Sequence, residues 1–308
     1  MPVELVELKR GDIEALPKSR TVFFFPLGPV EDHGPALPVG LDLGEAHALC
    51  RLTAERMEND LPGWVGVLMP TAPLGIDSDT TEFAITVRGH VLRDWLVDAC
   101  RSLNRFGFEH FVAYSGHLGP KQLTAIEEAS QTLAWRGIAG RVRALLPSAK
   151  NRPRPRLVSA SSAAVSPATV KKSPLWPDPE EHGGKRDTSV ALALGVLAAP
   201  PSGLPARPRP AETFLSRFFL RLEHRTAGYW GDPSGASAED GQRALTDGVD
   251  AAYAKLRAVW EGANPNQICR SWYSVIPPNR SFFAAWVLSF GIIFLMVAWL
   301  WIGFEVGG

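Results

Sequence analysis

Cysteine is scarce. Cys50, Cys100 and Cys269 are the only three in 308 residues, they lie far apart, and they form no C-x-x-C pair. An odd, scattered set excludes a disulfide framework and a zinc ribbon, and it suits a reducing compartment. A charge excess of either sign is also lacking, since Lys+Arg and Asp+Glu number 32 each. That balance excludes a globally basic nucleic-acid binder and an acidic disordered tail. There is no P-loop, no G-x-G-x-x-G after a strand and no G-x-S-x-G elbow, so nucleotide binding and serine-hydrolase chemistry find no motif. The N-terminus, MPVELVELKRGDIEAL, has no apolar signal-peptide core.

What is present suits a packed core, with 45% hydrophobic and 21% charged residues. Short apolar runs alternate with amphipathic stretches, the pattern of an α/β sandwich around a largely parallel sheet. Thr21–Leu27, Trp64–Met69 and Phe108–Ser115 read as strands, with a weaker candidate at Val142–Leu146. Helical spacing recurs around Leu43–Cys50, Leu92–Leu103, Ile126–Ala134 and Glu239–Trp260. The stretch 141–177 carries eight basic residues and no acidic one, is rich in Pro, Ser and Ala, and reads as a long loop. Near a membrane, such a loop would be drawn to anionic lipid headgroups.

One long apolar run stands at the end of the chain. From Phe282 to Phe304, Ser289 is the only polar side chain, which exceeds the roughly 20 residues that cross a bilayer. The expectation is a transmembrane helix over 282–304, preceded by a juxtamembrane linker at 266–281 and followed by a short tail at 305–308. Arg270 and Arg280 precede it, so the positive-inside tendency places residues 1–265 in the cytoplasm and the C-terminus outside.

The segment with chemical content is FPLGPVEDHGPALPVGLDLGEAHAL, residues 25–49. Glu31, His33 and Asp42 follow a strand that ends at Leu27, at the edge where parallel sheets place their sites. An extended chain points Glu31 and His33 to the same side. Glu, His and Asp together suit zinc, manganese or a similar divalent ion. His117, in YSGHLGP, occupies the corresponding place after the strand Phe108–Ser115. His182, in WPDPEEHGGKRDTS, lies in a Gly-rich turn before a helical run, and GYWGDPSGAS adds another turn.

EDHGPALP with Asp42, then SGHLGP, HGGKRDTS and WGDPSGAS, occur in the order of the creatininase family motifs, and the chain resembles that family over roughly residues 20–250. The resemblance implies a three-layer α/β/α sandwich with a mostly parallel sheet, often oligomeric, and two metals that activate water against a cyclic amide or related C–N bond. It would place Glu31, Asp42 and His117 on one metal, His33 and a bridging Asp42 on the other, and His182 on the substrate side. The chain departs from the pattern inside the motifs. Lys185 stands where the family has an acid, Gly119 stands two residues after His117 where some relatives carry Glu, and Asp187 shortens the next Glu.

An ammonium in the second-metal position would repel a divalent ion while attracting Glu31 and Asp42, so Lys185 is expected as a metal-replacing cation. The expected function is then a membrane-anchored, non-catalytic creatininase-like subunit. It would scaffold an integral-membrane complex, such as a respiratory or photosynthetic one, with the bilayer and other membrane subunits as partners and no metal. The alternative is an active membrane-tethered amidohydrolase with one Zn or Mn on Glu31, Asp42 and His117.

Overall fold

The computed structural model describes residues 1–76, 83–134, 155–160, 181–208, 228–265 and 280–306. Among these residues the strands are β1 Val3–Glu4, β2 Thr21–Leu27, β3 Val30–Glu31, β4 Val65–Leu68, β5 Ala84–Ile85, β6 His110–Ser115 and β7 Arg156–Ser159. The α-helices are α1 Arg10–Ala15, α2 Leu41–Asp60, α3 Gly89–Arg105, α4 Pro120–Ala134, α5 Lys185–Ala193, α6 Ala238–Trp260 and α7 Arg280–Val306.

Five strands make one sheet in the order β1-β4-β2-β6-β7, with every neighbouring pair parallel. Each strand of a parallel sheet is buried on both faces, which is why TVFFFPL has no polar stripe. Alternation sorts its side chains between two cores. Val22 and Phe24, with Val112 and Tyr114 of β6 and Val158 of β7, pack with Leu49 and Met57 of α2 and Leu245, Tyr253 and Leu256 of α6. Phe23, Phe25 and Leu27, with Phe111 and Leu157, pack on the other side with Leu92 and Leu96 of α3 and Ile126 of α4. Helices therefore cover both faces, giving the three-layer α/β/α sandwich.

Two sequence expectations change. The fifth strand, β7, lies within the stretch read as a loop over 141–177. Its burial comes from β6, to which it pairs from Arg156 opposite His110 to Ser159 opposite Ala113. Val142–Leu146, the rest of that basic stretch and the linker at 266–279 lie outside the described residues.

The second change concerns the C-terminal run. It forms α7, whose described side chains, 287–301, are mostly exposed and apolar. Among the described residues no helix is long and apolar enough to cross a membrane. The expected transmembrane helix over 282–304 is corrected on that finding, and the cytoplasmic placement of the domain with an outside C-terminus falls with it.

Candidate metal centre

The strands β2 and β6 end side by side, with Leu27 opposite Ser115. The chain after each of them carries part of the site. After β2 it turns into β3, where Glu31 pairs opposite Ala84 of β5 and donates its amide N–H to Val39 O at 3.0 Å. His33 follows, and its Nδ1 donates to the Glu31 carbonyl at 3.1 Å. That bond leaves Nε2 as the nitrogen turned to the pocket, where it faces Asp42 Oδ1 at 3.2 Å. Asp42 sits in the first turn of α2, where the helix N-terminus favours a carboxylate.

After β6, His117 brings Nδ1 to 2.8 Å from Glu31 Oε1 and 3.6 Å from Asp42 Oδ2. This approach depends on Gly116, because a Cβ there would lie 2.1 Å from the Asp42 carbonyl oxygen. Any side chain at 116 would push the turn away from α2.

Three of these residues meet the requirements of a metal site. Glu31, Asp42 and His117 each offer a ligand atom, all within 4.8 Å of one another. Glu31 and Asp42 are buried, and Glu31 Oε1 and Asp42 Oδ2 face no donor but the one His117 imidazole, whose Nε2 has no partner. Two buried carboxylates that share one imidazole are short of positive charge, which a bound cation would supply. A second trio, Glu31, His33 and His182, also comes within ligand reach. The residues therefore fit a divalent ion.

The electrostatics agree. Burial works against the Asp42 carboxylate, but His33 and His117 hold its pKa well below the ordinary range. Burial also opposes charge on His33, and Asp42, Asp187 and Glu31 outweigh it, lifting its pKa to about 10. Burial likewise opposes charge on His117, and Glu31 and Asp42 again prevail, raising it. Three acids thus pull positive charge into this pocket.

His182 is held from several directions. Its backbone exchanges both hydrogen bonds with Trp230, at 3.1 and 2.9 Å. Its ring lies between His33, with centroids 4.4 Å apart, and Trp230, at 4.8 Å, nearly parallel to both. Nε2 contacts the Asp32 carbonyl at 2.8 Å; a carbonyl only accepts, so this nitrogen carries the proton and Nδ1 the lone pair. Burial, reinforced by the charge on His33, lowers the pKa of His182 and keeps it neutral. Gly183, at φ +62°, lets the turn pass 2.4 Å (Cβ distance) from the His33 carbonyl, where a larger residue could not.

Lys185 is not where the sequence reading placed it. It lies at the start of α5 with Nζ 3.1 Å from Asp240 Oδ2, in the first turn of α6. The half-buried cation beside the site belongs to its neighbour. Arg186 Nη1 reaches Glu45 Oε2 and Asp187 Oδ1, each at 3.2 Å, and Nη2 contacts Glu45 Oε1. Glu45 lies one helical turn beyond Asp42 on α2, so this fork ties α5 to the helix that carries Asp42. Sequence reasoning missed Glu45, Arg186 and Trp230. An acid three residues after Asp42, on the apolar face of α2, was the available signal for Glu45.

A family model described as creatininase, creatinine amidohydrolase, matches residues 6–256. The chain belongs to the creatininase family. It is 29% identical over 265 residues to the mycofactocin precursor peptide peptidase of Mycobacterium ulcerans (strain Agy99), covering 82% of this chain and 91% of that protein. Among solved structures, a manganese creatininase superposes with a TM-score of 0.57 at 22% identity, over 84% of this chain and 99% of its own. A mutant creatininase of Zn–Zn type gives 0.55 at 21% identity, over 84% and 98%. Both share the fold. The expected non-catalytic membrane scaffold is corrected here: a hydrolase family, a peptidase relative and a formed donor set replace it, and no helix among the described residues supports a membrane role.

Proposed function

We propose that this member of the creatininase family is a metal-dependent hydrolase that cleaves the C–N bond of an amide, with a peptide as substrate. One observation carries the reading: Glu31 Oε1, Asp42 Oδ2 and His117 converge in a buried pocket, where the two carboxylate oxygens face no donor but that one imidazole. Membership of an amidohydrolase family and similarity to a precursor peptide peptidase support amide and peptide chemistry respectively.

Glu31, Asp42 and His117 would hold the divalent ion, Zn or Mn. When bound, such an ion lowers the pKa of water and polarises a carbonyl. The chain's own residues supply the rest. His182, neutral and with its lone pair on Nδ1, can take a proton there and return it to the departing amine. Its tautomer is set by the Asp32 carbonyl, and its ring cannot swing because His33 and Trp230 cover both faces. Asp42 orients His33 through Oδ1 while offering Oδ2 to the ligand pocket.

The test is turnover of peptide amides, with creatinine as a cyclic-amide comparison, by protein stripped of metal and reloaded with Zn²⁺ or Mn²⁺. Activity is expected only after reloading, and Asp42→Ala should lose at least about 100-fold, the effect typical of removing a ligand or its support. Full activity in the Asp42→Ala variant would reject the proposal.

A further inference from the structure

We propose that Arg186 confines this centre to a single divalent ion, an inference that rests on the metal-dependent reading above. Among the described residues, four acids on β3, α2 and α5 bear on this question: Glu31, Asp42, Glu45 and Asp187. They divide into two pairs. Glu31 and Asp42 each present an oxygen that faces no donor but the His117 imidazole. Glu45 and Asp187 are both engaged by Arg186, whose guanidinium meets both oxygens of Glu45 and Oδ1 of Asp187. The remaining oxygen of Asp187, Oδ2, accepts the Gly183 N–H at 2.7 Å. Every oxygen of the second pair is therefore committed to a donor.

This matters for the half of the pocket lined by His33 and His182. A second ion there would share Glu31 with the first, and with two imidazoles beside that shared carboxylate it would need a further acid to offset its charge. The position two residues after His117 is Gly119, which has no side chain to give. Asp187 is near enough to act on the charge of His33, but its carboxylate is turned to the guanidinium and the Gly183 amide. A fixed cation that bridges the candidate acid to α2 both occupies the ligand and repels the ion. Arginine suits this task better than lysine, because its planar fork holds two carboxylates at once and does not lose its proton.

The experiment counts Mn²⁺ bound to the full chain, by elemental analysis after gel filtration and by electron paramagnetic resonance. The unaltered protein should bind one equivalent, with the six-line signal of an isolated ion. A double variant, Glu45→Gln with Arg186→Met, removes the cation and its Glu45 partner together, so that Glu45 is not left as an unpaired buried charge while Asp187 Oδ1 is released. It should bind two equivalents and show a spin-coupled spectrum. Two equivalents in the unaltered protein would overturn the inference and leave the hydrolase reading standing, whether or not the variant folds. One equivalent in a folded double variant would also overturn it. No bound Mn²⁺ or Zn²⁺ in the unaltered protein would overturn the hydrolase reading itself.

Discussion

His110, at the first position of β6, shows what burial does to a side chain that takes no part in the site. Its ring lies 5.3 Å from that of Trp64 and 6.3 Å from that of Trp260. Burial, with the charge of Arg156 adding to it, lowers its pKa to about 4. An unfolded histidine titrates near 6.5. Between those values the unfolded chain binds the extra proton, so stability falls as pH drops. The contribution is complete above pH 6.5 and is lost on the way to about pH 4, at about 1.4 kcal/mol per unit and roughly 3 kcal/mol in all. Denaturant midpoints of the unaltered protein and of His110→Phe, measured from pH 7 to pH 4, should diverge by that amount, with the variant less sensitive to acid. Parallel curves would show that the imidazole is hydrated. The opposite sign holds at His33 and His117, where carboxylates outweigh burial; depth alone does not set a pKa.

At the level of elements, the loops that end the strands decide the chemistry, and the bridge between residues 182 and 230 is the one open to a clean test. Trp230 holds His182 by two backbone hydrogen bonds and covers one face of its ring. An aromatic pair of this kind contributes about 0.5–1.5 kcal/mol beyond its buried area. Trp230→Leu should therefore lower kcat roughly 3- to 10-fold with KM little changed, and Trp230→Phe should restore most of the loss. An equal loss in both variants would assign the effect to the backbone bridge instead. The elements also show which parts of the fold were legible. Thr21–Leu27 was readable because TVFFFPL is an apolar run of 7 residues, too short for a buried helix and rich in aromatic and β-branched side chains that favour a buried strand. β7 was not, because only Leu157 and Val158 are apolar in RPRPRLVS, and its burial is supplied by a partner far away in sequence. β3 and β5 have two residues each, too few for any period. Glu31, His33, Asp42 and His117 were legible as ligand types in ordered motifs. The choice between Lys185 and Arg186 was not, since it depends on which way the first turn of α5 faces.

Across the whole molecule, the donor set exists only when the sandwich is assembled. Glu31 comes from β3, Asp42 from α2 and His117 from the chain after β6, and they converge because β2 and β6 are neighbours at the centre of the sheet. The unfolded chain keeps no such trio, so an ion that binds the folded state stabilises the fold by mass action. At free metal 100-fold above Kd this amounts to about 2.7 kcal/mol, and a domain of this size gains about 2–4 °C in Tm per kcal/mol. Removing Zn²⁺ or Mn²⁺ with a chelator should then lower the thermal midpoint by roughly 5–10 °C, and restoring the ion should recover it. The same shift should vanish in Asp42→Asn, which keeps the shape of the side chain and removes its charge. It should persist in Lys185→Ala, because that amine is engaged with Asp240 on α6. A metal response that depended on Lys185 and ignored Asp42 would place the ion elsewhere in the protein.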